Sequence, residues 1–457
     1  MQADSETLLR REIPDTSLRR LLRLSGPVVI SLMAQNLIGV IDTAFLGRLG
    51  VTELGGASIA ALVYFSIFTV GFGLASGTQI IISHKYGAGQ YRSIGNVLGN
   101  SIMMLLGAAI LAIVLAMPIG RWAFGTLLTS KAVGAAAMEY WDYRMLGFIF
   151  IFISSSMRSF FVGIGETKVL TYNSLVMSVV NIVLDWALIF GNLGLPALGV
   201  KGAAIASVCA ECASLLFFIT YIRLRVDLKK YGMDLRDMLR WDGLVARSLL
   251  HISYFLMLQA LMSQSVWTLF FFMLESLGEM SLGVASISRS VYNVLFIPII
   301  SYGTAVRTTT GQLMGADAAD EIAPYLHRAS RLSLGTAAVL AALVSLFASS
   351  VLRVFTDDPA LITAAVPSMR VLCLSFVVAS VGNMYFHAVG GVGSTQKVFR
   401  IELTGNIFYL LYAVAMVYLL RAPIAVCFTV EAIYFGIIAV RSYLFMRSGK
   451  WRGVHLV

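Results

Sequence analysis

The stretch LGRLGVTELGGASIA, residues 46–60, returns as LESLGEMSLGVASIS at residues 274–288. At this offset of 228 positions Leu46, Leu49, Gly50, Leu54, Gly55, Ala57, Ser58 and Ile59 meet identical partners. Val63, Tyr64, Phe68, Gly87 and Ala88 do so further along. The same register, without a gap, pairs GIGETK (163–168) with GVGSTQ (391–396). Shared composition alone does not hold one register that far. The chain is two copies of one unit.

What each copy is follows from its polarity. Of the 457 residues 58% are hydrophobic and only 13% charged, against about 45–50% and about 25% in soluble domains. Apolar runs near the ~20 residues that a helix needs to cross hydrocarbon recur throughout. Twelve spans are expected, at roughly 24–47, 55–82, 94–118, 137–160, 169–191, 202–223, 250–275, 283–311, 332–352, 367–389, 401–420 and 424–445. Each copy then holds six and both begin on the same side, as parallel repeats about an axis along the membrane normal. The fold class is an all-α membrane protein of twelve transmembrane helices in two six-helix lobes. Its expected parts are an N-terminal interfacial segment (1–23), an N-lobe (24–225), a cytoplasmic linker (226–249), a C-lobe (250–446) and a cytoplasmic tail (447–457). The charged, amphipathic N-terminus shows no small-residue cleavage site before span one, so an interfacial helix is expected rather than a signal peptide.

A net charge of +10 can signal nucleic acid, but its placement argues for topology. Arg223, Arg225, Lys229, Lys230, Arg236, Arg240 and Arg247 crowd the segment between spans six and seven, and most other Lys and Arg fall on the same side. This is the positive-inside bias. It places both termini in the cytoplasm and the chain in a plasma (inner) membrane, with membrane lipids and no nucleic acid as partners. Cys209, Cys212, Cys373 and Cys427 lie within spans. The CxxC spacing of the first two has no accompanying ligand cluster, so they read as small packing residues. GAGQ (87–90) and GADA (315–318) read as equivalent inner loops, since no strand or Walker Lys makes a phosphate cradle of them.

Two acids stand out against this background. Asp42 lies in VIDTAFLGRLG (40–50) and Asp185 in SVVNIVLDWALIFGN (178–192), five and six residues before Gly47 and Gly191. Both spans run outward, so at about 1.5 Å per residue the acids sit at similar depth in the outer half of the membrane. Asn181 shares a helical face with Asp185. At the repeat offset Asp42, Asn181 and Asp185 meet Phe270, Tyr409 and Ala413, so the acids belong to one copy alone. Burial and a second acid nearby both disfavour the ionised form, and such a pair exchanges a proton as a coupled unit. With Asn181 it also offers a site for Na⁺. The bland alternative is that each Asp caps a broken helix or pairs with a neighbouring hydroxyl. Glu211, Glu402 and Glu431 read as structural. Glu402 is expected in solvent at the start of span eleven, and Glu431 paired with Arg441 or facing a cavity. Pro27 is a bending point in span one, or else the start of its helix.

VIDTAFLGRLGVTELGGASIA, MRSFFVGIGETK, NIVLDWALIFGNLGLPALGVKGAAIAS and TTTGQLMGAD together resemble the multidrug and toxic compound extrusion (MATE) family, in its DinF-like branch, over essentially the whole chain. The resemblance implies two six-helix lobes in a V shape and substrate export by antiport. It also implies that Asp42, Asp185 and Asn181 match the N-lobe cation site, and that Pro27 matches the proline at which span one bends. Other branches carry a Glu in span seven and an Asp in span ten. Here those spans offer Gln259, Gln264 and His387 instead.

The expected function is a secondary active exporter, not an enzyme, that antiports amphipathic or cationic organic compounds against H⁺. The alternatives are Na⁺ coupling, with the ion at Asp42, Asn181 and Asp185, or export of lipid-linked or anionic substrates. Coupling needs no cofactor beyond the ion, no resident metal is expected, and a monomer is expected. Met33, Gln35, Asn36, Tyr64, Phe68 and Ser207 are candidate cavity residues, with Arg289 and His387 for an anionic group. A packed bundle core is the plainer reading of each. An intramembrane prenyl transferase needs clustered acids at an inner helix end, and NIVLD lacks the second acid.

Overall fold

A computed structural model describes residues 13–454 and Leu456. The first twelve residues of the expected interfacial segment, and His455 and Val457 of the expected tail, lie outside the described residues. Among those described there is no strand, and twelve helices are long and apolar enough to cross a membrane. They are Leu18–Leu49, Val51–Gly87, Ser93–Thr126, Gly147–Ile164, Lys168–Phe190 and Val200–Arg225 in the first half. Gly243–Glu275, Glu279–Gly315, Ala319–Leu346, Pro359–Gly391, Thr395–Leu419 and Ile424–Arg447 follow in the second. Large apolar side chains cover their outward faces: Leu62, Leu111, Val114, Leu115, Ile119 and Trp122 are all exposed. A water-soluble surface does not carry such a girdle, whereas lipid solvates it. This is an integral, multi-pass membrane protein.

Most helices outrun the apolar windows expected from sequence, because their polar ends stay helical beyond the hydrocarbon. Span one begins at Leu18, where Ser17 Oγ accepts from Arg20 N at 3.2 Å as an N-cap. Pro27 is therefore inside the helix and does not start it. Span four departs more. A single helix over 137–160 is expected, but the chain forms Lys131–Arg144, turns at Met145 and Leu146, and resumes at Gly147. The first piece is held against span three by close approaches of Gly134 to the Phe124 carbonyl and of Gly120 to the Trp141 ring. Span nine lies earlier than expected and ends at Leu346, with a separate short helix at Ala348–Leu352.

The contacts divide the chain into two compact units. One holds Pro27–Ile82 and Gln90–Met257; the other holds the chain up to Gly26, Ser83–Gly89 and Leu258–Val457. Span one passes from one unit to the other at Gly26–Pro27, and span seven at Met257–Leu258. These are near-equivalent places in the repeat: Pro27 corresponds to Phe255. Each unit repeats the other's small-residue contacts. Gly163 packs on Ile82 in the first and its counterpart Gly391 on Thr310 in the second, and Ile82 and Thr310 are themselves counterparts. Within the second unit, Gly87 packs on the Gln312 carbonyl and Gly315 on the His84 carbonyl. Each glycine is the counterpart of the other, and so are His84 and Gln312. That reciprocity follows from the register the two copies share.

In the first unit the aromatic core gathers Tyr64, Trp141, Phe148 and Phe152. Spans five and six approach closely because Gly202 lets span six rest on the Leu188 carbonyl. Gly191, with φ of 75°, ends span five in the left-handed conformation that glycine adopts without strain.

Candidate functional site

Asp185 is completely buried on span five, and Asn181, one turn earlier on the same face, is 1% exposed. Asp42 comes from span one and is partly buried. The carboxyl groups of Asp42 and Asp185 lie within hydrogen-bonding reach of each other. Neither oxygen of Asp185 receives a protein donor, nor do Asp42 Oδ1, Asn181 Oδ1 or the nearby Ser178 Oγ. Buried polar atoms are nearly always paired, so these orphaned acceptors leave the dyad without a protein donor of its own. Two carboxylates in such a place are compatible only if a proton or a cation joins them.

An ion pair lies beside them, formed by Arg144 with Glu211, a residue that reads as structural in sequence. Arg144 Nη2 donates to Glu211 Oε1 at 2.6 Å, with side chains 12% and 1% exposed. Tyr64 donates its hydroxyl to the same oxygen at 3.3 Å, and the Arg144 guanidinium stands 3.8 Å from the Tyr64 ring centre. Tyr64 stacks on Phe148 at 4.2 Å. The break in span four leaves Arg144 at a helix end. Gly147, the first residue after the break, lies directly under Glu211 Oε2 and Arg144 Nη1. The guanidinium also reaches Asp42 electrostatically. Its short contact is with Glu211, so the dyad keeps an unbalanced negative charge whenever both its members are ionised. The signal for this pair was present in sequence: Arg144 and Glu211 are both ionisable residues within spans.

A family model described as MatE matches residues 27–187 and 256–415, one stretch in each half and well over half the chain. The chain belongs to the MATE family. Its relatives include a probable multidrug resistance protein NorM of Thermotoga maritima, 22% identical over 85% of this chain and 82% of that protein. A NorM of Rhizobium meliloti is 26% identical over 75% and 73%. Among solved structures, a MOP superfamily transporter from Pyrococcus furiosus matches with a TM-score of 0.87 at 20% identity, covering 94% of this chain and 95% of that one. A Vibrio cholerae MATE transporter matches with 0.85 at 18%, covering 96% and 98%. At such identities the structures speak for the fold. MATE proteins are transporters, and this chain is a transporter rather than an enzyme.

The other residues singled out in sequence scatter around the MATE dyad's unit or lie in the second unit. Met33, Gln35 and Asn36 are exposed on span one, with Asn36 Nδ2 donating to its own Leu32 carbonyl at 2.9 Å. Thr43, the residue after Asp42, turns its hydroxyl to the Gly39 carbonyl at 2.7 Å and is not one of the candidate cavity residues. Phe68 is partly buried against the aromatic core. Ser207 is buried one turn before Glu211 on span six. In the second unit Arg289 stacks over Trp267 at 4.2 Å and Phe271 at 4.9 Å. His387 packs on Gly303, with Nδ1 buried and unpartnered. Two expectations there are overturned. Glu402 is not solvated but 3% exposed, accepting from Ser263 Oγ at 2.6 Å and from the Tyr434 hydroxyl. Arg441 donates to Thr404 Oγ1 and not to Glu431. Glu431 instead faces a cavity, as the other reading held.

Proposed function

We propose that this MATE transporter is a secondary active exporter of amphipathic, cationic organic compounds, driven by inward flow of H⁺. One observation carries the reading: Asp42 and Asp185 sit within reach of each other with no protein donor to either Asp185 oxygen. A pair that must hold a proton or a cation to be stable is a carrier by construction. Deprotonated, the dyad attracts a cationic substrate; protonated, it releases it. Proton and substrate then favour different states of one bistable element, which is all that coupling requires.

Span one is the proposed moving element, with Pro27 as its hinge. Proline removes a backbone hydrogen bond inside this helix, and Gly26–Pro27 is where the span changes unit. Thr171 Oγ1 donates to the Pro27 carbonyl at 3.0 Å, tying that point to span five, which also carries Asp185. Related MATE structures are described as bent and straight conformations, and we extend that pair of states to this chain. Met33, Gln35 and Asn36 on the same span, with Tyr64, Phe68 and Ser207, are the proposed substrate contacts. The positive-inside bias supports cytoplasmic termini and an inner-membrane location.

Na⁺ is the second reading, favoured by the orphaned Asn181 Oδ1, which would supply a neutral oxygen beside two carboxylates. Drug accumulation in cells expressing Asp42→Asn or Asp185→Asn at wild-type levels tests the dyad. Both should accumulate substrate as transporter-free cells do, and unimpaired efflux by both eliminates the mechanism. Substrate release from proteoliposomes under a proton or a sodium gradient alone chooses the ion.

A further inference from the structure

The second unit holds a half-open cavity of about 250 Å³ that nothing in the proposed mechanism uses. Spans seven, eight, eleven and twelve wall it, with Trp267, Tyr292, Asn406, Tyr409, Glu431 and Tyr434 the side chains that matter. At the repeat offset it lies beside, not at, the place of the dyad, whose counterparts Phe270 and Ala413 are not among its walls. Tyr292 is the counterpart of Tyr64, and Tyr409 of Asn181.

Its chemistry is different. Glu431 is 4% exposed and accepts two hydrogen bonds on Oε1, from the Tyr409 hydroxyl at 2.9 Å and from Trp267 Nε1 at 3.3 Å. Both donors are neutral. Behind Tyr434 a second buried carboxylate, Glu402, is likewise held by a serine and a tyrosine. Among the described residues neither glutamate has an ion-pair partner. Arg289 lies on the Trp267 ring and Arg441 donates to Thr404 Oγ1, so neither guanidinium is engaged with a glutamate. Two polar groups on the cavity wall lack any partner: the Tyr292 hydroxyl, 6% exposed, and Asn406 Nδ2, 4% exposed. Buried orphans of this kind mark a place for a ligand with polar atoms of its own.

A carboxylate bound only by neutral donors, aromatic faces on several sides and a spare amide and hydroxyl describe a receptor for a small cation of diffuse charge. Aromatic rings attract such ions through their quadrupole, and quaternary ammonium groups are the usual guests of aromatic cages. An inorganic ion would leave the rings unused, and an anion would meet Glu431. We propose that this cavity binds a compact organic ammonium cation bearing one hydroxyl or carbonyl group. The cationic head faces Glu431 between Tyr292 and Tyr409, and the polar group meets Asn406. The volume admits a ligand of about a dozen heavy atoms, below the usual range for drug-sized pockets.

The test uses the full-length protein in lipid nanodiscs and choline as the probe, by titration calorimetry. Its neutral isostere, 3,3-dimethylbutan-1-ol, has the same shape without the charge. Choline should bind at least tenfold more tightly than the isostere, and Glu431→Gln should weaken choline at least tenfold while leaving the isostere unchanged. Tyr292→Phe, which removes only an orphaned hydroxyl and so preserves folding, should weaken choline several-fold. Asp42→Asn and Asp185→Asn should leave choline binding intact, whatever they do to efflux, so this site and the proton dyad stand or fall separately. Equal affinity for choline and the isostere overturns the proposal. So does undiminished choline binding in both Glu431→Gln and Tyr292→Phe, or loss of binding only in the Asp42 and Asp185 variants.

Discussion

The Arg144–Glu211 pair permits the sharpest quantitative test. At 2.6 Å, and with the effective dielectric of ~20 that suits protein sites, two unit charges attract by about 6 kcal/mol. Removing each ion from water costs several kcal/mol. The intact pair is therefore close to neutral for stability, while either member alone is a liability. Glu211→Gln leaves a guanidinium that is 12% exposed facing an amide, and Arg144→Met leaves a carboxylate that is 1% exposed held by Tyr64 alone. Breaking a buried pair from one side costs about 3–5 kcal/mol.

The double-mutant cycle follows directly. Reversible unfolding of the purified protein in mixed micelles, followed by tryptophan fluorescence, should show each single variant less stable by about 3–5 kcal/mol. The double variant should lose far less than the sum, with a coupling of about 2 kcal/mol or more. Additive losses, or single variants within about 0.5 kcal/mol of the parent, would refute the claim that these charges are desolvated together.

Other consequences are simpler to check. Gly147→Ala puts a methyl group against Glu211 Oε2 and Arg144 Nη1, so it should destabilise by about 1–3 kcal/mol in a melting assay, and less in a Glu211→Ala background, where the clashing Glu211 oxygen is gone. Gly87→Ala and Gly315→Ala each meet a backbone carbonyl that cannot swing aside. The two should lower thermal stability by similar amounts, and a large disparity would deny the reciprocity of the repeat. Thr171→Val removes the bond to the Pro27 carbonyl, at a cost of about 0.5–1.5 kcal/mol, and should alter efflux rate more than expression. Ser17 donates its backbone N–H and its hydroxyl to Asp15, which holds that carboxylate below its ordinary value. Its contribution is present above about pH 4 and lost as pH falls, so Asp15→Asn should flatten the acid limb of a stability profile.

Much of this was legible in sequence, for identifiable reasons. Hydrophobic run length marks spans because the bilayer sets a single length scale, and the repeat survives because the same small residues, Gly87 with Gly315 and Gly163 with Gly391, must sit at equivalent contacts. Asp42, Asn181 and Asp185 stood out because a carboxylate among apolar residues has no cheap explanation. The break in span four was hidden, since KAVGAAAMEYWDYR followed by MLGFIF reads as one amphipathic run until tertiary packing turns it at Met145. Glu402 looked solvated because it stands near a helix start in an apolar window. Its real partners, Ser263 and Tyr434, are distant in sequence, and polar pairing across helices leaves no local trace. Arg289 gave no sign in sequence that it stacks on Trp267 and Phe271, which belong to the preceding span.

The repeat gives the acids their meaning. Where the first copy brings Asp42 towards Asn181 and Asp185, the second packs Phe270 edge-on against Tyr409, ring centres 5.4 Å apart, with Ala413 in the place of Asp185. The equivalent pocket has been filled with carbon. Buried acids nonetheless occur in the second copy, as Glu402 and Glu431, whose counterparts in the first are Ser174 and Ala203. A scaffold needing charge to fold would place it at equivalent positions, because the helices and their small-residue contacts are equivalent. The acids instead sit on spans one, five and six in one copy and on spans eleven and twelve in the other. In the first the two aspartates face each other without donors while Glu211 is paired with Arg144, and in the second each glutamate is satisfied by neutral hydroxyls or an indole. One doubled framework thus carries two chemically distinct pockets, one built around a charge that has to be neutralised and the other around a charge already solvated by the protein.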